Sequence, residues 1–149
     1  MNPKSHPFFK AAFMAAVLLF SISQAASADN LEPKHKVVIQ VSSSSPQTQN
    51  LALNNAVNLQ EHYGMDNIKI EIVAYGPGLS MLTKKSKQKT RVESLAMQDI
   101  RFSACHNTMK AIERKTGKMP VLAKGVTVVP GGVARIMELQ EKGYSYIRP

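Results

Sequence analysis

The chain is 149 residues long, 44% hydrophobic, with 19 Lys and Arg against 10 Asp and Glu, a net charge of +9, and one cysteine. This length accommodates a domain with its own apolar core, and a single cysteine excludes an internal disulfide, so packing alone must hold the fold together. A basic excess of this size directs attention to an anionic small molecule, an acidic partner or an anionic membrane surface.

Lys4 and Lys10 precede an apolar run, Ala11 to Phe20, and Ala26-Ser27-Ala28 supplies small residues at cleavage spacing. The pattern predicts a secretory signal peptide over residues 1–28, a mature chain beginning at Asp29, and a periplasmic location. The apolar run is shorter than the roughly 20 residues that cross a bilayer, so no stable membrane span is expected. Asp29 stands where a lipid-modified cysteine would be required. Taking 28 residues from 149 leaves 121 for one domain over 29–149, and taking two lysines from +9 leaves +7. Export argues against nucleic acid as the partner.

Lys36 to Val41 is a dense β-branched run suited to a strand covered on both faces. It ends at Ser42-Ser43-Ser44-Ser45. Pro46 permits a helix from about Gln47 to Tyr63, with Leu53, Ala56, Val57 and Gln60 near one face. Asn54 and Asn55 lie in the middle of this helix and face either solvent or a neighbouring loop. Ile68, Ile70 and Ile72 alternate with Lys69 and Glu71, which predicts a half-exposed strand at a sheet edge. Gly76-Pro77-Gly78 stops it.

Lys84, Lys85, Lys87, Lys89 and Arg91 form a basic run that reads as a solvated surface, and Val92, Leu95 and Ala96 mark a second helix. Ile100, Phe102 and Ala104 alternate with Arg101 and Ser103 in a third strand that ends at Cys105. Asn107 or Thr108 is placed to cap a third helix. Gly125 to Val129 is a fourth, buried strand, Pro130-Gly131-Gly132 a turn, and Val133, Ile136 and Met137 the apolar stripe of a fourth helix ending near Gly143. Tyr144 to Ile147 is a fifth strand.

This alternation predicts a three-layer α/β/α domain with a mainly parallel five-stranded sheet. Ligands of such sheets bind beyond the carboxyl ends of the strands, which makes Ser43, Gly76, Gly78, Cys105, Asn107, Thr108, Gly131 and Gly132 the candidate rim. Cys105 is the candidate catalytic residue. At a strand-to-helix junction the free N–H groups and the helix dipole favour a thiolate. The competing reading of a lone cysteine is a small buried hydrophobe. His106 follows Cys105 directly, and neighbouring strand residues point to opposite faces, so it is poorly placed as a base. The histidines have no metal-ligand spacing, and neither Gly-x-Gly-x-x-Gly nor Gly-x-Ser-x-Gly occurs. No metal or cofactor is expected.

Leu53-Asn54-Asn55-Ala56, Tyr75 to Leu79, Phe102 to Thr108, Val129 to Arg135 with Leu139-Gln140, and Gly143 to Ile147 together resemble the pattern of DsrE-like proteins. The similarity spans nearly the whole predicted mature chain. It implies a compact α/β domain, frequent homo-oligomers and, through Cys105, a cysteine that carries sulfur as a persulfide. Two departures stand out: the signal peptide, since the characterised sulfur carriers are cytoplasmic, and the lack of a second cysteine.

Three functions follow as expectations. One is a sulfur-handling protein working through Cys105 with a donor or acceptor protein. Another is a non-catalytic module that binds a small anionic or thiol-containing ligand at the same rim. The last is a structural homo-oligomer with a buried, inert thiol.

Overall fold

The computed structural model describes residues 33–149. The predicted leader and its cleavage site lie outside the described residues. The strands are β1 (His35–Val41), β2 (Ile68–Ala74), β3 (Ile100–Cys105), β4 (Val126–Val129) and β5 (Ser145–Ile147), and the α-helices are α1 (Pro46–Tyr63), α2 (Lys89–Ala96), α3 (His106–Thr116) and α4 (Gly132–Glu141). All four strand pairings are parallel, in the order β4-β3-β2-β1-β5. The expected parallel α/β architecture is present.

Winding explains how the helices divide between the two faces. β1 to β4 step across the sheet in one direction, so right-handed crossovers place α1, α2 and α3 on one face, and the return from β4 to β5 places α4 on the other. The packing agrees. Val37, Ile39, Ile72 and Phe102 meet Leu53 and Ala56 of α1, Val92 and Leu95 of α2, and Met109 of α3 in the main core. The alternate side chains Val38 and Val73 meet only Ile136 and Leu139 of α4, with Tyr75 and Tyr144 at the margin.

The expectation for β2 is corrected. This strand lies between β1 and β3, and Glu71, whose charge made the strand look like an edge, is 2% exposed. A carboxylate from α4's face of the sheet can be buried there because Arg135 of α4 reaches it. The edges are β4 and β5, so the expectation of a buried fourth strand is corrected as well: β4 pairs on one side only, and Val128 is 50% exposed. On β5, the Tyr146 hydroxyl donates to Gln40 Oε1 of neighbouring β1 at 2.6 Å.

α1 begins at Pro46 with Ser45 as its cap, Ser45 Oγ accepting from the Thr48 N–H at 3.4 Å. Its polar middle is partly accounted for by α2: Asn54 Oδ1 accepts from Arg91 Nη2 at 2.6 Å. Just before α2, Gln88 Nε2 donates to Asn50 Oδ1 at 2.9 Å. The end of the basic run is therefore tied to α1 instead of being wholly solvated.

Candidate functional site

β3 and β4 are neighbours whose following helices leave on opposite faces, α3 with the main core and α4 with the smaller cluster. A crevice opens between the carboxyl ends of two such strands. Cys105 pairs with Val129 at this junction, and each is the last residue of its strand. The amino termini of α3 and α4 start within three residues of that pair.

Cys105 occupies the cap position of α3, with extended backbone (φ −71°, ψ 114°) and without a conventional side-chain cap bond. Asn107 and Thr108, expected before the helix as caps, lie inside its first turn. The residue is 5% exposed. Burial alone would push its pKa up, but the Thr108 hydroxyl and the N–H groups of Thr108, Gly132 and Asn107 outweigh burial and hold it below the usual thiol range. Donors from both helices therefore favour the anionic sulfur, which is the physical basis of anion binding at helix amino termini.

Thr108 has a second partner. Its Oγ1 accepts the Gly76 N–H at 2.9 Å, so the turn after β2 is tied to the turn after β3. Gly132 is required by close approach: a Cβ built on it would lie 2.9 Å from Tyr75 Cβ and 3.2 Å from Cys105 Cβ. The Asn107 N–H is shared with the Pro130 carbonyl at 3.4 Å. Gly131 caps α4, its carbonyl accepting from the Arg135 N–H at 2.9 Å.

Of the rim residues expected from sequence, Thr108, Asn107 and Gly132 gather at Cys105, and Gly76 joins them through Thr108. Ser43 and Gly78 serve local structure. Ser43 Oγ accepts from the Ser45 N–H at 3.1 Å, and its carbonyl accepts from Gln49 Nε2 at 3.3 Å. Gly78 lies against β1, where a Cβ would come within 2.2 Å of the Val41 carbonyl oxygen.

A buried ionic cluster beside the site was not anticipated from sequence. Arg135 Nε and Nη2 donate to Glu71 Oε1 and Oε2, each at 2.8 Å. Ser103 Oγ donates to Glu71 Oε1 at 2.6 Å, and Arg101 Nε lies 3.6 Å from Oε2. Burial pushes the Glu71 carboxyl up, but its bonds from Arg135 and Ser103 and the charges of Arg135 and Arg101 hold it below the usual carboxylate range. The available sequence signal was an acidic residue on a strand and an arginine on a helix, 64 residues apart.

Among the described residues no group of three His, Cys, Asp or Glu is placed to hold a metal ion, and no helix is long and apolar enough to cross a membrane. No curated protein sequence matches the chain. The structure resembles MTH1491 from Methanobacterium thermoautotrophicum, a protein of unknown function, with a TM-score of 0.70 and 33% identity over 77% of this chain and 99% of that one. It shares its fold with the ychN protein of E. coli, with a TM-score of 0.61 and 16% identity over the same 77% of this chain and 99% of that one. The DsrE/DsrF-like family model matches residues 35–149, from the first residue of β1 to the end of the chain. The chain therefore belongs to the DsrE/DsrF-like family, with Cys105 where the first turns of two helices meet.

Proposed function

We propose that the protein handles sulfane sulfur through a persulfide on Cys105. The observation that carries this reading is the position of Cys105 at the amino terminus of α3 with Gly132, the first residue of α4, packed against it, which favours the thiolate needed as nucleophile. In the proposed step the thiolate attacks the terminal sulfur of a donor R–S–SH. The donor S–S bond breaks, R–S⁻ leaves, and a new S–S bond forms at Cys105. The proton stays with the transferred sulfur, and no external oxidant is needed. An acceptor thiolate then attacks that terminal sulfur and releases Cys105 as the thiolate. Its 5% exposure favours small donors and acceptors, or a partner that presents a narrow persulfide tip.

Export after cleavage behind Ala28 and assembly into a homo-oligomer belong to the same proposal. The first is supported by the composition of residues 1–28, and the second by two exposed sheet edges and by side chains such as Val133 and Met137 on α4, 56% and 58% exposed. Intact mass of protein recovered from the periplasm and light scattering test these parts.

The chemical reading is tested by incubating the native protein with polysulfide and measuring its mass. Addition of one sulfur atom at Cys105, lost in Cys105→Ser, is expected. If no sulfur is added, the better account is a module that holds a small anionic or thiol-containing ligand at the same rim.

A further inference from the structure

The ionic cluster and the thiol form a closed ring of contacts. From Cys105 the ring passes two residues back along β3 to Ser103, whose hydroxyl donates to Glu71 at 2.6 Å. Glu71 receives the two 2.8 Å bonds of Arg135. Arg135 lies three residues beyond Gly132 on α4, and Gly132 packs against Cys105, a Cβ built on it falling 3.2 Å from the cysteine Cβ. Cys105 and Ser103 share one face of β3, the face that α4 covers.

The apolar seat of α4 is small, with four buried side chains in its cluster. Apolar contact is non-directional, so a cluster of this size resists separation of the helix from the sheet better than it resists sliding. A bidentate arginine–carboxylate pair is directional, and its fork allows one placement. Buried ion pairs contribute little net stability because desolvation offsets their attraction, which makes orientation the more informative role for this one.

We propose that Glu71 and Arg135 are positioning residues for Cys105: their bidentate pair sets where α4 sits on the sheet, and so holds Gly132 against Cys105, where a Cβ on the glycine would lie 3.2 Å from the cysteine Cβ. This rests on the thiolate reading of Cys105 given above. Neither residue touches the reacting atom, so both act through the placement of α4.

The test compares the full chain with three variants. Arg135→Lys keeps the positive charge but loses the fork. Glu71→Gln removes the carboxylate charge and retains a hydrogen-bonding oxygen. Ile136→Val trims the apolar seat of α4 without touching the ion pair. Alkylation rate against pH gives the thiol pKa of each, thermal unfolding gives its stability, and polysulfide uptake is scored separately by mass.

Arg135→Lys and Glu71→Gln are expected to move the alkylation profile to higher pH, lowering the rate near neutral pH roughly three- to tenfold, where tenfold corresponds to one pKa unit. Ile136→Val is expected to lose stability and keep the wild-type profile. An unmoved profile in both ion-pair variants, or an equal displacement in Ile136→Val, would overturn the positioning role. Wild-type uptake together with unmoved profiles overturns that role alone. Displaced profiles without wild-type uptake sink the sulfur reading and leave the positioning role standing.

Discussion

The Gly76 N–H donates to Thr108 Oγ1 at 2.9 Å. A hydroxyl has one proton to give, and with the backbone donor occupying a lone pair of Oγ1, that proton is free to point at Cys105. A turn that follows β2 thereby orients a donor on α3 toward a sulfur at the end of β3.

Thr108→Val keeps the shape of the side chain and removes its hydroxyl. The Cys105 thiol should then titrate higher, since one of the hydrogen bonds that favour its charged form is removed. The Gly76 N–H loses its acceptor, so stability should fall by about 1 kcal/mol. Alkylation rate against pH and urea unfolding measure the two effects.

Gly132→Ala would place a methyl group 2.9 Å from Tyr75 Cβ, where neither partner is the far end of a flexible side chain. α4 must shift, at a cost of about 1–3 kcal/mol, and its amino terminus moves away from Cys105. Lower stability and a raised thiol pKa should appear together in this variant. A crystal structure with α4 unmoved would show that the packing has more slack than described.

Glu71 has a carboxyl held below its usual range, so between the folded and unfolded pKa values the unfolded chain binds more protons. Its stabilising contribution is fully present above about pH 4.3 and is lost as pH falls through the folded value. Glu71→Gln should be about 3 kcal/mol less stable than wild type at neutral pH, because Arg135 loses its charged partner. The deficit should narrow in acid, as urea unfolding at several pH values would show.

The architecture was legible because its signals are local. Alternation of Ile100, Phe102 and Ala104 with a helical pattern after Cys105 located the strand-to-helix junction, and Pro130-Gly131-Gly132 marked the turn opposite. Longer-range pairings were not legible. Glu71 looked like a solvent-facing residue because the alternation of β2 contains no trace of an arginine on α4. Thr108 and Gly132 were placed on the candidate rim, although the sequence also marked them as a helix cap and a turn residue. Their meeting at one sulfur depends on which faces α3 and α4 take, and strand order decides that.

Exposure of the thiol predicts a size preference. At 5% exposed, Cys105 should react in the native protein with iodoacetamide much faster than with a bulky maleimide dye, relative to the same pair of reagents on a free cysteine. Unfolding in urea should remove the difference. Equal relative rates in the native state would mean that the crevice between α3 and α4 opens readily in solution.

The central claim is that two helix amino termini and the Thr108 hydroxyl lower the pKa of the Cys105 thiol below its ordinary value. The pH dependence of iodoacetamide alkylation of the native wild-type protein tests it most directly. The expected midpoint lies below the value of about 8.5 found for an unperturbed cysteine. A midpoint at or above that value would mean that burial outweighs the donors, and would contradict the account.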